Sequence, residues 1–283
     1  MTQTRLNNFQ WGKRTYLMGI LNVTPDSFSD GGDFFTPATA LNQAKYLISA
    51  GADIIDIGGQ STRPGAEEIS LDEELNRVVP IVAALREKSE ITIPISVDTT
   101  RSTVAKAAII AGADIINDIS AATFDSDMLN VAAQLDVPII LMHIRGTPQT
   151  MQQLTNYQDL ITEIYQFLAD RINAAKLAGI DASKIIVDPG IGFAKTYEQN
   201  ITILQKLSIF RSLGCPLLVG PSRKSFIGKI LDQPDAKQRI WGTAAACSAA
   251  IAHGADILRI HDVSEMYDVC RVADAIFRGI YYI

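Results

Sequence analysis

Hydrogen-bond acceptors, cations and aromatic rings stand at the ends of short apolar runs in this chain, and they sort into three chemical sets. Asp98 ends the run ISVD, Asn117 and Asp118 end IIND, and Asp188 ends IIVD. The side-chain oxygens of Asp98, Asn117 and Asp188 can accept from an amine-rich heterocycle, and a carboxylate can take two neighbouring N–H groups as a fork. Asn117 and Asp118 are adjacent, so in a strand only one of them can face a shared site. Arg63, Lys224, Arg259 and His261 can hold an anion. Arg259 and His261 are two residues apart, which puts both side chains on one side of a strand. Phe28, Met142 and Phe193 can cover a flat ring. Between these groups lie polar, glycine-rich segments. Asn22 closes one apolar run and leads into TPDSFSDGG, with Phe28 and Asp30. DIGGQSTRPG carries Thr62, Arg63 and Pro64, and GPSRKSFIG carries Gly220, Ser222, Lys224 and Ser225. Their joint placement at run ends carries the signal.

The runs are read as strands over 16–22, 53–59, 93–98, 114–119, 138–143, 184–188, 216–220 and 255–261. Each is too short for an ordinary helix, and most are bounded by Gly, Pro or polar residues. Between them, helical periodicity is read over 36–50, 71–88, 100–111, 126–134, 159–177, 197–213, 236–252 and 263–278. In 71–88, Leu71, Leu75, Val78, Val79, Val82 and Leu85 paint one face. A weak internal repeat runs through the chain, AGADII at 50–55 and 111–116 and HGADIL at 253–258. Each copy sits where a helix should end and a strand begin, and its Gly suits a left-handed helix cap.

Eight strands in 283 residues give about 35 residues per unit, the size of a βα repeat. The expected architecture is α/β, one (β/α)8 TIM barrel over 16–283 with a short N-terminal extension over 1–15. A doubly wound open sheet is the other arrangement of such units. It would be favoured by GxGxxG after the first strand or by GxxxxGK[ST], and Gly190-Ile191-Gly192 and Gly228-Lys229 are only fragments of those patterns. In a barrel, catalytic groups belong at the C-terminal strand ends and the loops that follow.

Composition narrows the function. Hydrophobic residues are 47% and charged residues 20%, enough to build a large core. Lys+Arg is 25 against Asp+Glu 31, net −6, which argues against nucleic acid as a partner but leaves room for a local anion site. Cys215, Cys247 and Cys270 show no metal or redox spacing and read as thiols in a reducing compartment. No stretch has the apolar length of a membrane span and no leader pattern opens the chain, so a soluble, cytoplasmic protein is expected.

Taken in order, NVTPDSFSDGG, GGQSTRPG, SVDT, INDIS, LMH, DPGIGF, PSRKSFIG and RIHD resemble the dihydropteroate synthase family, over residues 18–262. The resemblance implies a barrel that is commonly a homodimer. It implies an enzyme of folate biosynthesis that joins (7,8-dihydropterin-6-yl)methyl diphosphate to 4-aminobenzoate, using Mg²⁺, and releases pyrophosphate and 7,8-dihydropteroate. Sulfonamides should compete with the aminobenzoate. By the same resemblance, Asp98, Asn117, Met142, Asp188, Phe193, Gly220 and Lys224 form the pterin slot. Asn22, Arg259 and His261 hold pyrophosphate, with Asn22 also a metal ligand. Phe28, Thr62, Arg63, Pro64 and Ser225 receive the aminobenzoate, and Asp98, Lys224, Arg63 and Asp30 take catalytic parts. Two related readings remain. A pterin-binding methyltransferase shares the barrel, needs a corrinoid partner and has no need of the 24–32 loop or Arg63. A non-catalytic pterin-binding barrel would be marked by loss of Lys224, Arg259 or His261, and all three are present.

Overall fold

The computed structural model describes residues 5–24, 37–88 and 91–280. Its strands are β1 (Tyr16–Asn22), β2 (Ile54–Gly58), β3 (Ile95–Asp98), β4 (Ile115–Asp118), β5 (Ile139–Met142), β6 (Ile185–Asp188), β7 (Leu218–Val219) and β8 (Ile257–Ile260). They form an 8-stranded sheet in the order β6-β5-β4-β3-β2-β1-β8-β7, with every neighbouring pair parallel. A bridge between Val187 and Leu217 brings β6 against β7 and closes the ring. The expected barrel is therefore the observed one.

The strand sequences are rich in Ile, Val and Leu because both faces of a parallel barrel strand are covered. Side chains alternate. Tyr16, Met18, Ile54, Ile115, Ile140, Ile186, Leu218 and Ile257 gather into one buried cluster inside the barrel. Residues between them, such as Leu17, Ile55, Ile116, Ile139, Ile185 and Leu258, join the larger cluster under the helices. Two residues further along each inner face the chain turns from apolar to functional. Asp56 follows Ile54, Asn117 follows Ile115, Met142 follows Ile140, Asp188 follows Ile186, and Arg259 follows Ile257. Period two thus delivers the site to the C-terminal mouth.

The opposite end is plugged by the N-terminal segment. Leu6 joins the inner cluster, with Phe9 and Trp11 packed on it, and Phe9 stacks on Tyr16 at 4.1 Å between ring centroids. The GAD repeat works at this end as well. Asp53, Asp114 and Asp256 each donate a backbone N–H to the neighbouring strand, at Leu17, Ile95 and Leu217. Each carboxylate accepts the N–H of that same residue, at 2.9, 2.8 and 2.9 Å. Arg14 and Arg86 pair with the first two carboxylates. The repeat is therefore a strand-start clamp used three times around the ring. Its Gly51, Gly112 and Gly254 all have positive φ, as the cap reading requires.

Around the sheet lie α1 (Pro37–Ser49), α2 (Leu71–Lys88), α3 (Ser102–Ile110), α4 (Met128–Leu135), α5 (Leu160–Leu177), α6 (Tyr197–Gln205), α7 (Ser225–Leu231), α8 (Ile240–Ala252) and α9 (Val263–Arg278). Three helical expectations need correction. The 197–213 helix breaks at Lys206 into α6 and a 3-10 stretch, Leu207–Leu213. The 236–252 helix starts with a 3-10 turn, Ala236–Arg239, before α8. The 220–228 segment, read as a loop, becomes a helix from Ser225 onward. That helix has only 7 residues and an internal Gly228, so local propensity does not announce it. Burial of Phe226 and Ile227 does the work instead. No helix among the described residues is long and apolar enough to cross a membrane.

Candidate active site

Strand register lines up the groups at the mouth. Asn22 pairs with Gly58, Gly58 with Asp98, and Asp98 with Asn117, one lateral row across β1 to β4. On the next strands Met142 pairs with Asp188. Gly58 has no side chain, and so the Asn22 and Asp98 oxygens both come close to it: a Cβ placed there would lie 3.5 Å from Asn22 Oδ1 and 3.6 Å from Asp98 Oδ2.

At the centre is a charged cluster. Arg259 Nε donates to Asp56 Oδ2 at 2.6 Å, and its Nη2 donates to Asp98 Oδ2 at 2.7 Å. Asn117 Nδ2 donates to both oxygens of Asp56, at 3.3 and 3.2 Å. That bifurcated bond turns one amide N–H toward Asp56 and leaves Oδ1 as the atom able to accept from a ligand. The strand pair is thereby resolved. Asn117 faces the mouth, whereas Asp118 accepts from Ser120 and Ala122 backbone N–H groups on the other side. Burial pushes the Asp98 carboxyl up to about 7; Arg259 pulls it down, and Asp56, Glu74 and Asp118 push it further up. Burial opposes the Arg259 charge as well, but Asp56 and Asp98 outweigh it and its pKa is raised. Asp56 is the residue that sequence reasoning missed. Its signal was available: a carboxylate in IIDIG, two places after inward Ile54, in a strand buried throughout, must have a partner.

The β6 side forms a covered slot. Asp188 accepts the Gly190 N–H at 2.7 Å, and burial pushes its carboxyl up to about 6 against the pull of that bond, Lys224 and Lys195. Gly190 has φ +74, and a Cβ there would lie 2.0 Å from the His143 carbonyl oxygen, so the chain can turn here only with glycine. The turn presents Phe193, and Lys224 Nζ lies 4.2 Å from its ring centroid. Burial, reinforced by Arg259, brings Lys224 down to about 8. Lys195, next along, does not enter the slot. It is buried, and its Nζ contacts the Phe193 carbonyl at 2.7 Å and His143 Nδ1 at 2.9 Å. It pins the turn from behind.

The β7 and β8 ends meet in a ladder. Ser222 Oγ lies 2.9 Å from His261 Nδ1 and accepts the His261 backbone N–H at 3.1 Å. One residue on, Arg223 Nε donates to Asp262 Oδ2 at 2.9 Å and its Nη2 to Oδ1. Gly220 leaves 3.8 Å between a would-be Cβ and Arg259 Cβ. Burial, together with Arg223, Arg259, Arg63 and Lys224, pushes His261 down to about 3. Arg63 therefore acts on the same region electrostatically, although its loop is exposed.

Of the residues expected at the site, the structure gathers Asn22, Asp98, Asn117, Met142, Asp188, Phe193, Gly220, Lys224, Arg259 and His261 at the barrel mouth. Thr62 lines a cavity of about 70 Å³ beside Asp98, with Glu74, Thr99, Phe124 and Pro148. Pro64 is exposed beside Arg63, and Ser225 is exposed at the start of α7, next to Lys224. Phe28 and Asp30 lie outside the described residues. Among the described residues no three His, Cys, Asp or Glu side chains form a metal cage. With only the described residues as donors, an ion at the mouth would draw most of its oxygens from a ligand and from water. This suits Mg²⁺, which keeps waters and commonly binds through one or two protein oxygens plus phosphates. Asn22 Oδ1, at the edge of the cluster, is such an oxygen.

Residues 18–261 match the pterin binding enzyme family. The chain is 64% identical over 270 residues to the dihydropteroate synthase of Synechocystis, covering 95% of this chain and 93% of the relative. The Yersinia pestis dihydropteroate synthase, solved with a sulfonamide drug complex, superposes with a TM-score of 0.90 at 43% identity, over 96% of this chain and 97% of that one. The Xanthomonas albilineans enzyme in complex with 7,8-dihydropteroate gives a TM-score of 0.85 at 38% identity, over 96% and 97%. With a matching family over nearly its whole length and a site of ring-edge acceptors beside anion-holding cations, the chain belongs to the pterin binding enzymes, among the dihydropteroate synthases.

Proposed function

We infer that the chain condenses (7,8-dihydropterin-6-yl)methyl diphosphate with 4-aminobenzoate to give 7,8-dihydropteroate and pyrophosphate. The observation that carries this is Arg259 clamped between Asp56 and Asp98 at 2.6 and 2.7 Å. One arrangement fixes a cation for the diphosphate and a carboxylate for the pterin. Asp188 and the Asn117 oxygen take the N–H edge of the pterin, Met142 and Phe193 cover its faces, and Lys224 closes the slot.

The substitution breaks the bond between the methylene carbon and the diphosphate oxygen, and the electron pair leaves with pyrophosphate. Arg259, Lys224 and His261 receive the charge that develops on that oxygen. The methylene cation delocalises into the pterin, where ionised Asp98 opposes it, an interaction that grows only towards the transition state. The amine lone pair of aminobenzoate then forms the C–N bond, and one amine proton is released. Aromatic amines are free bases near neutral pH, so no strong general base is required. Thr62, Arg63, Pro64 and Ser225 stand where the aminobenzoate would enter. Asn22 would hold Mg²⁺ together with diphosphate oxygens, and the ion would supply further neutralisation of the leaving group.

The same reading includes a homodimer in the cytoplasm. Ile230, Leu231, Trp241, Val272, Ile276 and Phe277 are exposed apolar side chains on α7, α8 and α9, and burying them against a second copy supports the dimer. Three free cysteines suit a reducing compartment. Arg63, Lys224, Arg259 and His261 at one mouth favour the synthase over a methyltransferase or a non-catalytic pterin binder.

The test is turnover of purified protein with the pterin diphosphate, aminobenzoate and Mg²⁺, with dihydropteroate detected by mass. Asp188→Ala and Arg259→Ala should abolish product while the protein still melts cooperatively. Near-normal rates in either variant would remove the assignment. Sulfonamides should raise the apparent KM for aminobenzoate.

A further inference from the structure

The Ser222–His261 contact specifies more than a position. Ser222 is buried at 5% exposure, and its oxygen already accepts the His261 backbone N–H at 3.1 Å. A buried hydroxyl has one proton to give, and leaving it without an acceptor is costly. The atom in reach is His261 Nδ1, at 2.9 Å. When the Ser222 proton is donated there, Nδ1 is an acceptor and the ring proton must sit on Nε2.

The surroundings hold this arrangement. Arg223 is forked onto Asp262, its backbone N–H donates to Thr243 Oγ1 at 3.1 Å, and Arg239 caps its carbonyl at 2.9 Å. These bonds keep Arg223 at φ 57, a left-handed backbone unusual for a residue with a side chain. The turn carrying Ser222 therefore cannot drift from β8. The strongest charges acting on the imidazole are Arg223 and Lys224 after β7, Arg259 on β8 and Arg63 after β2, all cations that disfavour a second ring proton. The neighbouring carboxylates are engaged elsewhere, Asp262 in the Arg223 fork and Asp98 on Arg259.

We propose that Ser222 is a positioning residue that locks His261 as a neutral imidazole with its proton on Nε2, so that His261 offers the leaving diphosphate one directed N–H donor. The diphosphate part rests on the function inferred above; the tautomer does not. Arg259 and Lys224 then supply the positive charge, and His261 supplies direction. With Nδ1 engaged and Nε2 protonated, His261 has no lone pair for a metal ion.

The test uses the whole protein with isotope-labelled histidine nitrogens, the His261 signals being identified by their loss in His261→Gln. Wild-type protein should show the neutral Nε2–H pattern, unchanged between about pH 5 and 8. Ser222→Ala should give a mixture of tautomers, and Ser222→Thr should restore the wild-type pattern. Inorganic pyrophosphate should bind Ser222→Ala roughly tenfold more weakly, the loss of one directed hydrogen bond. An Nδ1–H or doubly protonated His261 in the wild type, or an unchanged pattern in Ser222→Ala, would overturn the lock. A shifted tautomer with unchanged pyrophosphate affinity would overturn the diphosphate role and leave the lock standing.

Discussion

Replacing Asp56 by alanine is the most demanding test of the charged centre. Asp56 is fully buried and holds both Arg259 Nε and the Asn117 amide. Removing one partner of a buried ion pair costs about 3–5 kcal/mol, because the other charge stays buried alone. Arg259 keeps its bond to Asp98 at 2.7 Å, which places the loss at the lower end, about 3 kcal/mol. The Asn117 amide loses its acceptor as well, which adds about 1 kcal/mol. At about 2–4 °C per kcal/mol for a domain of this size, the melting midpoint of the apo-protein should fall by roughly 8–16 °C. Catalysis should suffer independently. An Arg259 held by one carboxylate instead of two can move by about an ångström, and a displacement of that order can cost about a hundredfold in rate. Asp56→Asn keeps an acceptor and the shape, and should fall between the two. The assays are a thermal melt followed by near-ultraviolet dichroism, and kcat/KM for the pterin diphosphate. An Asp56→Ala protein that melts within about 2 °C of the parent, with kcat/KM within about threefold, would refute the reasoning.

Gly190→Ala should destabilise by about 3 kcal/mol, from the left-handed backbone and the contact with the His143 carbonyl, and should raise KM for the pterin diphosphate as Phe193 is displaced; an unchanged KM would separate that turn from the slot. The pH dependence has a definite sign. Asp98 has a folded-state pKa of about 7, above its unfolded value, so its contribution to stability is complete in acid and is lost as pH rises towards 7. That loss falls between about pH 4 and 7 and levels off above it, so the melting midpoint of Asp98→Asn relative to the parent should rise across that window and then hold constant; a difference that does not change with pH would exclude Asp98 as a source of the dependence. Arg63→Ala should raise KM for aminobenzoate by about tenfold or more, as expected for a lost charge-assisted bond, with pterin-diphosphate binding nearly unchanged; equal loss in both would contradict the placing of Arg63 on the aminobenzoate side.

Much of this was legible along the chain. The eight apolar runs, the helical stretches between them and the GAD repeat all express local rules: β-branched runs too short for helices, one-sided periodicity, and glycine at helix ends. Period two alone predicts that Arg259 and His261 share a face, and it states that Asn117 and Asp118 cannot. The choice between those two, the helix at Ser225–Leu231 and the break at Lys206 were not legible, because each depends on what packs against the segment rather than on the segment. The same is true of Asp56. Its type and parity were visible, but its partners lie 61 and 203 residues away. Net charge of −6 describes the chain as a whole and is silent about a mouth where Arg63, Lys224, Arg259 and His261 converge. Local sequence is enough to set element type, order and the inner face of each strand, since these depend on near neighbours. Which carboxylate holds Arg259, which nitrogen of His261 carries the proton and how far burial raises Asp98 are decided only when the ring closes, because hydrogen bonding and desolvation depend on distances the chain does not have until it is folded.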